Sequence, residues 1–206
     1  MKVVVIGASG RTGTEVVRQG LAGGHEVTAF VRDPAKLTVR DPRLTVKTGD
    51  ARDTADLRAA LEGQDAVIST LGGKPKDAVM ERSTAALVEA ANETGVRRVV
   101  MLSAYLLASN YKPNPVTKLL ARLVTGGMVA DKRSGEAHLV HSKLDWTIVY
   151  ATMLTNGPRS GVRTVTSSET VTSFDKISRA DVAAVLLEQV ASVANIGQSL
   201  VITGAS

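Results

Sequence analysis

The first twenty residues, MKVVVIGASGRTGTEVVRQG, constrain the fold more than any other part of the chain. A β-branched apolar run at residues 3–6 predicts a buried strand, and a helical pattern follows from residue 11. Gly7 permits a tight turn between them, Gly10 lets a ligand approach the backbone, and Gly13 lets the helix pack closely on the strand. Free amides at the start of that helix, those of Arg11 and Thr12, attract an anion. The segment therefore predicts a site for a nucleotide pyrophosphate, with a glycine-rich turn that binds nothing as the alternative.

Similar apolar runs recur along the chain and alternate with helical patterns. Strands are predicted at residues 3–6, 26–31, 44–48, 66–71, 98–103, 146–151 and 199–203, and helices at 11–22, 54–62, 78–94, 116–124, 131–141 and 179–190. Such alternation predicts a doubly wound parallel sheet with helices on both faces. Because no linker or repeat interrupts the pattern, we expect one domain over residues 1–206. Substrate loops are expected near 105–130 and 155–175, where strands end and open sheets bind ligands.

Composition excludes several classes of function. The chain has 206 residues, no cysteine and three histidines, so we expect neither disulfides nor a metal site. It has no apolar run long enough for a membrane span or a signal peptide, and we expect a cytoplasmic protein. Its net charge of +5 comes without a basic run, and aromatic residues make up only 3%, so nucleic acid is not an expected partner. The expected partner is a small molecule, and the expected state is a monomer or weak homodimer.

The end of the second predicted strand indicates which dinucleotide the site prefers. NAD enzymes place a carboxylate there for the ribose hydroxyl, whereas this chain has Arg32, which suits the 2′-phosphate of NADPH. Asp33 precedes Pro34, a pattern typical of a helix N-cap, although an NAD-type role is the alternative. Lys36 follows one turn later and reaches either the same phosphate or solvent. The sequence therefore predicts NADPH in preference to NADH.

Several motifs together resemble one family over nearly the whole chain. They are GASGRTG, EVTAFVRDPAKL, VKTGDARD, GQDAVISTLG, GVRRVVMLSAYLL, LDWTIV and ISRADVA, in that order. The chain resembles the NAD(P)H-binding branch of the atypical short-chain dehydrogenase/reductase superfamily. Within that branch it is similar to the biliverdin-IXβ reductase/flavin reductase family and, less specifically, to NmrA-like sensors. The resemblance implies a single Rossmann-type domain and an NADPH-dependent reductase.

The resemblance also implies which residues contact the cofactor. Asp50 and Ala51 would lie beside the adenine, and small residues after the fourth strand would let the cofactor cross the sheet edge. A basic residue at position 36 also matches the family. The full implied set is Gly7, Ser9, Gly10, Arg11, Thr12, Gly13, Arg32, Lys36, Asp50, Ala51, Leu71, Gly72, Gly73, Ser103, Ala151, Thr152, Met153 and Leu154. Several of these are Gly or Asp, which also occur in ordinary turns.

Catalysis by the usual proton donor of the superfamily is not expected. That donor is the tyrosine of a Tyr-x-x-x-Lys pair, and Tyr105, Tyr111 and Tyr150 each lack the lysine four residues later. The absence favours a reaction in which the cofactor brings the hydride to an acceptor that is already electrophilic. Flavins, quinones and linear tetrapyrroles are acceptors of that kind, and free flavin is the first expectation.

Ser103, Lys132 and Tyr105 are the candidate catalytic residues. Ser103 in LSAYLL matches a serine that the flavin and biliverdin-IXβ reductases place beside the nicotinamide, where it would hold the carboxamide or polarise the acceptor; a hydrogen bond to local backbone is the alternative. Lys132 resembles a lysine near the nicotinamide in other atypical reductases, and a solvated lysine or an ion pair with Glu136 is the alternative. Other functions consistent with the sequence are a non-catalytic NADP sensor and a biosynthetic tailoring reductase or epimerase.

Overall fold

Strand β1 (Lys2–Ile6) lies inside the sheet, with Val3, Val4 and Val5 fully buried. Neighbours on both edges and helices on both faces exclude water from it, which explains its continuous apolar sequence. The structure is a computed structural model that describes residues 1–72, 79–108, 129–166, 169 and 175–205. Predictions for residues outside these ranges, including Gly73 and the helix at 116–124, lie outside the described part of the chain.

Strands and helices alternate as the sequence predicts. The remaining strands are β2 (Glu26–Val31), β3 (Leu44–Thr48), β4 (Ala66–Ser69), β5 (Arg98–Ala104), β6 (Asp145–Ala151), β7 (Met153–Thr155), β8 (Val162–Val165), β9 (Lys176–Ser178) and β10 (Gln198–Gly204). The helices are α1 (Arg11–Ala22), α2 (Thr54–Leu61), α3 (Val79–Thr94), α4 (residues 129–140) and α5 (Arg179–Ala191).

The main sheet has the order β3-β2-β1-β4-β5-β6-β10-β8. Every neighbouring pair is parallel except β10 and β8, so the predicted doubly wound parallel sheet is confirmed. The chain moves outward from β1 to β3 and then returns to β4 on the other side of β1. This reversal opens a crevice at the carboxyl ends of β1 and β4, which is where open α/β sheets bind their ligands.

Two helical layers cover the sheet. Helices α1 and α5 pack on one face around Val17 and Leu186, and α2, α3 and α4 cover the other face around Leu61, Leu87 and Leu139. Asp53 caps α2 by accepting hydrogen bonds from the amides of Ala55 and Asp56. Among the described residues, no helix is long and apolar enough to cross a membrane.

The predicted loop near 155–175 is partly wrong, because β8 lies inside it. Strand β8 pairs antiparallel with β10 at the edge of the sheet, and Val165 is buried. Its sequence VRTV is half polar because a strand at the edge of the sheet is partly exposed to solvent. It therefore lacks the continuous apolar run that is typical of a central strand. A second small sheet, in which β7 pairs with β9, was not predicted from the sequence either.

Candidate functional site

The turn after β1 has the close packing that a glycine loop allows. Gly7 has a φ of +81°, in the left-handed region that favours glycine. A Cβ atom at Gly13 would lie 2.2 Å from the carbonyl oxygen of Gly7, so α1 meets the turn at a distance that no other residue permits. Gly10 has an ordinary φ of −74°, and its Cβ would meet the same oxygen at 3.1 Å. The fold therefore requires Gly7 and Gly13 more strongly than Gly10.

The first turn of α1 offers unpaired amides to a ligand. Gly10 is the N-cap, and no side chain caps the helix. Within the described residues, the amides of Arg11 and Thr12 have no hydrogen-bond acceptor. Amides in this position carry the positive end of the helix dipole, so the turn can stabilise a phosphate group.

A cavity of about 270 Å³ lies beside this turn, at the carboxyl ends of β1 to β4. It brings together many of the residues predicted to contact the cofactor, namely Gly7, Ser9, Gly10, Arg32, Lys36, Asp50, Ala51, Leu71 and Gly72. Small-molecule sites start at about 300 Å³, so a cavity of this size fits a part of a dinucleotide rather than the whole molecule. Its position on the β1–β3 side of the crevice fits the adenosine half of a dinucleotide.

Arg32 lines this cavity, where its charge also helps to lower the pKa of Asp50. Its side chain is exposed, and within the part of the chain that the structure describes it makes no hydrogen bond or ion pair. Asp33 instead accepts a hydrogen bond from the Ala35 amide at 3.1 Å, which confirms the predicted N-cap. Lys36 lies 3.5 Å from the Asp33 carboxylate and is largely exposed. Arg32 is thus free to bind a phosphate, while Lys36 is already partly neutralised.

Asp50 contributes a permanent negative charge to the same cavity. Its carboxylate accepts hydrogen bonds from Arg52 Nε and Nη2, at 3.0 and 2.5 Å. These bonds from the Arg52 side chain, followed by one from its backbone amide, lower the pKa of Asp50 to about 2. The carboxylate is therefore ionised at neutral pH and can accept a further hydrogen bond, such as one from an amino group of a purine.

A second cavity of about 460 Å³ adjoins the first and shares Ser9 and Lys36 with it. Arg11 and Arg179 both line it, and Arg179 donates a hydrogen bond of 2.8 Å to Asn156 Oδ1. Burial, followed by the charge of Arg11, lowers the pKa of Arg179. An anion bound at the glycine turn would therefore lie beside a cluster of positive side chains, which would stabilise it.

Ser103 and Tyr150 share one buried carboxylate at the far side of the crevice. The two residues are register partners on β5 and β6. Ser103 Oγ donates to Glu136 Oε1 at 2.5 Å, and Tyr150 Oη donates to Glu136 Oε2 at 2.8 Å. All three residues are less than a tenth exposed. Burial and then the charge of Glu136 raise the pKa of Tyr150, so this tyrosine keeps its proton at neutral pH.

These contacts replace two of the alternatives left open by the sequence. The Ser103 side chain bonds to Glu136 rather than to local backbone. Glu136 faces β5 and β6 and makes no ion-pair contact with Lys132 among the described residues, although its charge acts on that lysine from one helical turn away. Lys132 is half-buried, and burial lowers its pKa, although the charges of Glu136 and Asp131 oppose the shift.

Helix α4 is held against α3 by close contacts at its start. Asp131 is buried and accepts hydrogen bonds from the amides of Met80 and Glu81, at 3.1 and 3.0 Å. A Cβ atom at Gly135 would lie 2.7 Å from the Met80 carbonyl oxygen, so the two helices touch there. These contacts fix the rotation of α4 and direct Glu136 towards the sheet.

The other predicted site residues lie apart from the two cavities. Tyr105 is 3% exposed and packs in the core beneath α2, α3 and α4, which gives no support to a catalytic role. The predicted nicotinamide wall, residues 151–154, begins at the last residue of β6 and continues into β7. Within it, the Thr152 amide donates to Ile202 O and the Met153 amide to Asp175 O, so these two N–H groups are already used. Contact between this segment and a nicotinamide stays a prediction.

The ISRADVA motif contains a buried carboxylate, that of Asp181, which holds the loop at Ser160 and Gly161. Asp181 is fully buried and accepts hydrogen bonds from Ser178 Oγ at 2.7 Å, the Ser160 amide at 2.9 Å and the Gly161 amide at 3.2 Å. Burial opposes the charge most strongly, but these hydrogen bonds outweigh it and lower the pKa of Asp181. The loop beside Asn156 and Arg179 is therefore anchored to the start of α5.

The sequence alone did not identify Glu136 or Tyr150 as site residues. A signal was present, because Glu136 stands three residues before Leu139, which is fully buried, and four after Lys132. That spacing places all three on one face of a helix. An acid on the buried face of a helix needs a partner, and the partners come from two strands that only the fold brings together.

Comparison with known proteins agrees with this geometry. The family model described as NAD(P)H-binding matches residues 7–192. An uncharacterised chloroplastic protein of Arabidopsis thaliana is 32% identical over 201 residues, which cover 91% of this chain and 71% of that protein. The chain spans between 31% and 45% of the length of seven other curated relatives.

Solved structures share the fold over the whole chain. ChuY, described as an anaerobilin reductase from Escherichia coli O157:H7, has a TM-score of 0.84 and 22% identity, covering 100% of this chain and 98% of its own. A wide-type short-chain dehydrogenase/reductase from Veillonella parvula, solved in complex with NADP, has a TM-score of 0.83 and 19% identity, covering 100% and 95%. The chain therefore belongs to the NAD(P)H-binding family and has the fold of the atypical short-chain dehydrogenase/reductases.

Proposed function

We propose that this protein is an NADPH-dependent reductase that transfers a hydride to a conjugated acceptor, with free flavin as the first candidate. The cavity at the crevice carries the proposal. It joins a glycine turn with unpaired amides to an exposed Arg32, which makes no hydrogen bond or ion pair with the other described residues. A pyrophosphate fits the amides, and a purine fits the cavity beside Asp50.

The preference for NADPH over NADH rests on the charges at the end of β2. Arg32 is available to a 2′-phosphate, and the nearby Asp33 carboxylate is engaged as an N-cap. A free carboxylate that could bind both ribose hydroxyls, as in NAD enzymes, is thus missing from the described end of this strand. The NADP complex of the similar Veillonella parvula protein gives the proposal general support.

The hydrogen bonding and packing of the two buried tyrosines support the proposal that the acceptor is already electrophilic. Tyr150 donates a hydrogen bond to Glu136 and has a raised pKa, and Tyr105 is packed in the core. Neither tyrosine resembles the activated proton donor that reduction of a simple ketone requires. Flavins, quinones and linear tetrapyrroles need orientation more than proton donation, and the similar fold of a protein described as an anaerobilin reductase supports including tetrapyrroles.

The residues of this chain would bind the cofactor, orient its nicotinamide ring and protonate the acceptor. The bound reduced nicotinamide supplies the hydride. Ser103, at the end of β5, orients the ring, and Lys132, half-buried one turn before Glu136, holds a proton for acceptors that need one. A lysine whose pKa is lowered by burial is a better acid than a solvated one, so its position is consistent with this task.

The proposal is tested by mixing the protein with NADPH and excess FMN, riboflavin, a quinone or biliverdin while following the absorbance of the reduced nicotinamide. We expect oxidation with at least one acceptor, at a rate proportional to protein concentration and slower with NADH. The Gly10→Val variant, which should fold but not bind nucleotide, is the control. Tight NADPH binding without oxidation by any acceptor would contradict the proposal and favour a non-catalytic sensor.

A further inference from the structure

The hydrogen bonds around Glu136 determine what Ser103 can offer a ligand. A serine hydroxyl has one hydrogen and two lone pairs. The Ser103 hydroxyl donates its one hydrogen bond to Glu136 Oε1, and the Tyr150 hydroxyl donates a hydrogen bond to Glu136 Oε2. Both oxygens of the acid therefore act as acceptors. Ser103 therefore has only lone pairs left, and it can accept a hydrogen bond but not donate one.

The position of Ser103 indicates which part of a nucleotide it meets. The cavity that fits adenosine lies at the ends of β1 to β4, and Ser103 is the second-last residue of β5, beyond β4 in the sheet. A dinucleotide crosses the crevice from the half of the sheet around β1–β3 to the half around β4–β6. On the proposed function, on which this inference rests, the nicotinamide reaches the end of β5.

We propose that Glu136 is a positioning residue that makes Ser103 a hydrogen-bond acceptor for the carboxamide NH₂ of the nicotinamide. The alternative, in which the Ser103 hydroxyl polarises a carbonyl of the acceptor substrate, requires the hydrogen that Glu136 already receives. Holding the carboxamide fixes the rotation of the ring and hence the face that transfers the hydride. Tyr150 supports the arrangement by occupying the second oxygen of Glu136.

Two cofactor analogues test the inference by binding alone. The acetylpyridine analogue of NADP⁺ has a methyl group in place of the carboxamide NH₂, and the thionicotinamide analogue keeps the NH₂. By titration calorimetry, we expect the wild-type protein to bind the thionicotinamide analogue about tenfold more tightly, the effect of one hydrogen bond at a largely buried site. We expect Ser103→Ala to bind the two analogues about equally.

Variants at the carboxylate separate positioning from general packing. Glu136→Gln introduces an amide that can donate to Ser103, so the preference between analogues should fall to about twofold or less. Tyr150→Phe leaves the bond between Ser103 and Glu136 in place and should keep the preference. Glu188→Gln, the same change on the exposed side of α5, should keep it as well. Melting temperatures of all variants confirm that the proteins compared are folded.

Two results would overturn the inference. One is equal affinity of the wild-type protein for both analogues, and the other is an equal loss of preference in Tyr150→Phe and Glu136→Gln, which would indicate loosened packing. If Glu136→Gln does not fold, Ser103→Ala and Tyr150→Phe still give the deciding comparison. Failure of the proposed function gives a different result from failure of this inference. In that case the wild-type protein would still prefer the thionicotinamide analogue, but it would reduce no acceptor.

Discussion

The carbonyl oxygen of Gly7 lies 2.2 Å from the point where a Cβ atom of Gly13 would stand, and the same oxygen lies 3.1 Å from the corresponding point at Gly10. The first distance is a clash with backbone, which cannot move aside without shifting α1. The second is a tight contact that a small adjustment relieves. Three glycines that look equivalent in the sequence therefore differ in what they do for the fold.

This difference predicts opposite effects for two alanine variants. Gly13→Ala should lower the free energy of unfolding by about 1–3 kcal/mol, because the methyl group overpacks the contact between α1 and the turn. Gly10→Ala should change stability much less and should weaken NADPH binding at least about tenfold, because the methyl group faces the pyrophosphate. Thermal unfolding of the apo proteins and fluorescence titration with NADPH measure the two effects. Normal NADPH binding by Gly10→Ala would mean that this glycine serves packing alone.

Arg32→Ala should weaken the binding of NADPH and leave that of NADH nearly unchanged. Loss of a charge-assisted contact to the 2′-phosphate costs about 1.5–3 kcal/mol, which corresponds to about 10- to 150-fold in affinity. Arg43→Ala is the matched control, because Arg43 precedes β3 at the opposite edge of the sheet and pairs with Asp41. Equal losses for both nucleotides in the Arg32 variant, or none, would rule out the phosphate contact.

Asp181→Asn should destabilise the protein and flatten its response to acid. The pKa of Asp181 is lower in the folded state than the unfolded value of about 3.9, so its charge stabilises the fold above that value and less as pH falls through the folded pKa. The amide cannot accept all the bonds from Ser160, Gly161 and Ser178, and the loss at neutral pH should be about 1.5–3 kcal/mol.

Urea unfolding of this variant between neutral and acidic pH provides the measurement. The exposed ion pair of Asp41 with Arg43 supplies a control, since Asp41→Asn removes a carboxylate that solvent already screens. If Asp181→Asn and Asp41→Asn had the same small effect, the buried carboxylate would not be what holds the loop at Ser160.

Lys132→Met should slow the reduction of a quinone, in which one proton completes the hydroquinone after hydride transfer. We expect a loss of about a hundredfold if Lys132 supplies that proton. Because burial lowers the pKa of Lys132, the wild-type rate should fall as pH rises through a value below the ordinary one of about 10.4, and the variant should lack this decline. The exposed Lys143 offers the control Lys143→Met. A pH profile shared by both variants would exclude Lys132 as the acid.

The central strands and the glycine turn could be predicted because residue type and spacing within each segment are enough to identify them. Strands such as β1 and β4 are covered on both faces, so they are apolar throughout and easy to recognise. Asp33, followed by Pro34, identifies the start of a helical turn by residue type and spacing alone. Strand β8 was missed because one edge of it faces solvent, and its polar residues look like a loop.

Glu136 shows why the rest of the site could not be predicted. Four residues after Lys132 on a helix, an acid is most simply interpreted as half of an exposed ion pair. Its true partners, Ser103 and Tyr150, lie 33 and 14 residues away and belong to neighbouring strands. Only the docking of α4 against α3, through Asp131, turns this acid towards the sheet, and no local pattern specifies that docking.

The two buried carboxylates of α4, Asp131 and Glu136, bind different partners from the same rigid helix, one at the start of α3 and the other at β5 and β6. The number of residues between the two acids therefore fixes the distance and the angle between their side chains on the helix. A single inserted or deleted residue would rotate one acid by about 100° relative to the other, and both bonds could not form together. In the descent of such chains, we expect selection to remove insertions and deletions between these two acids.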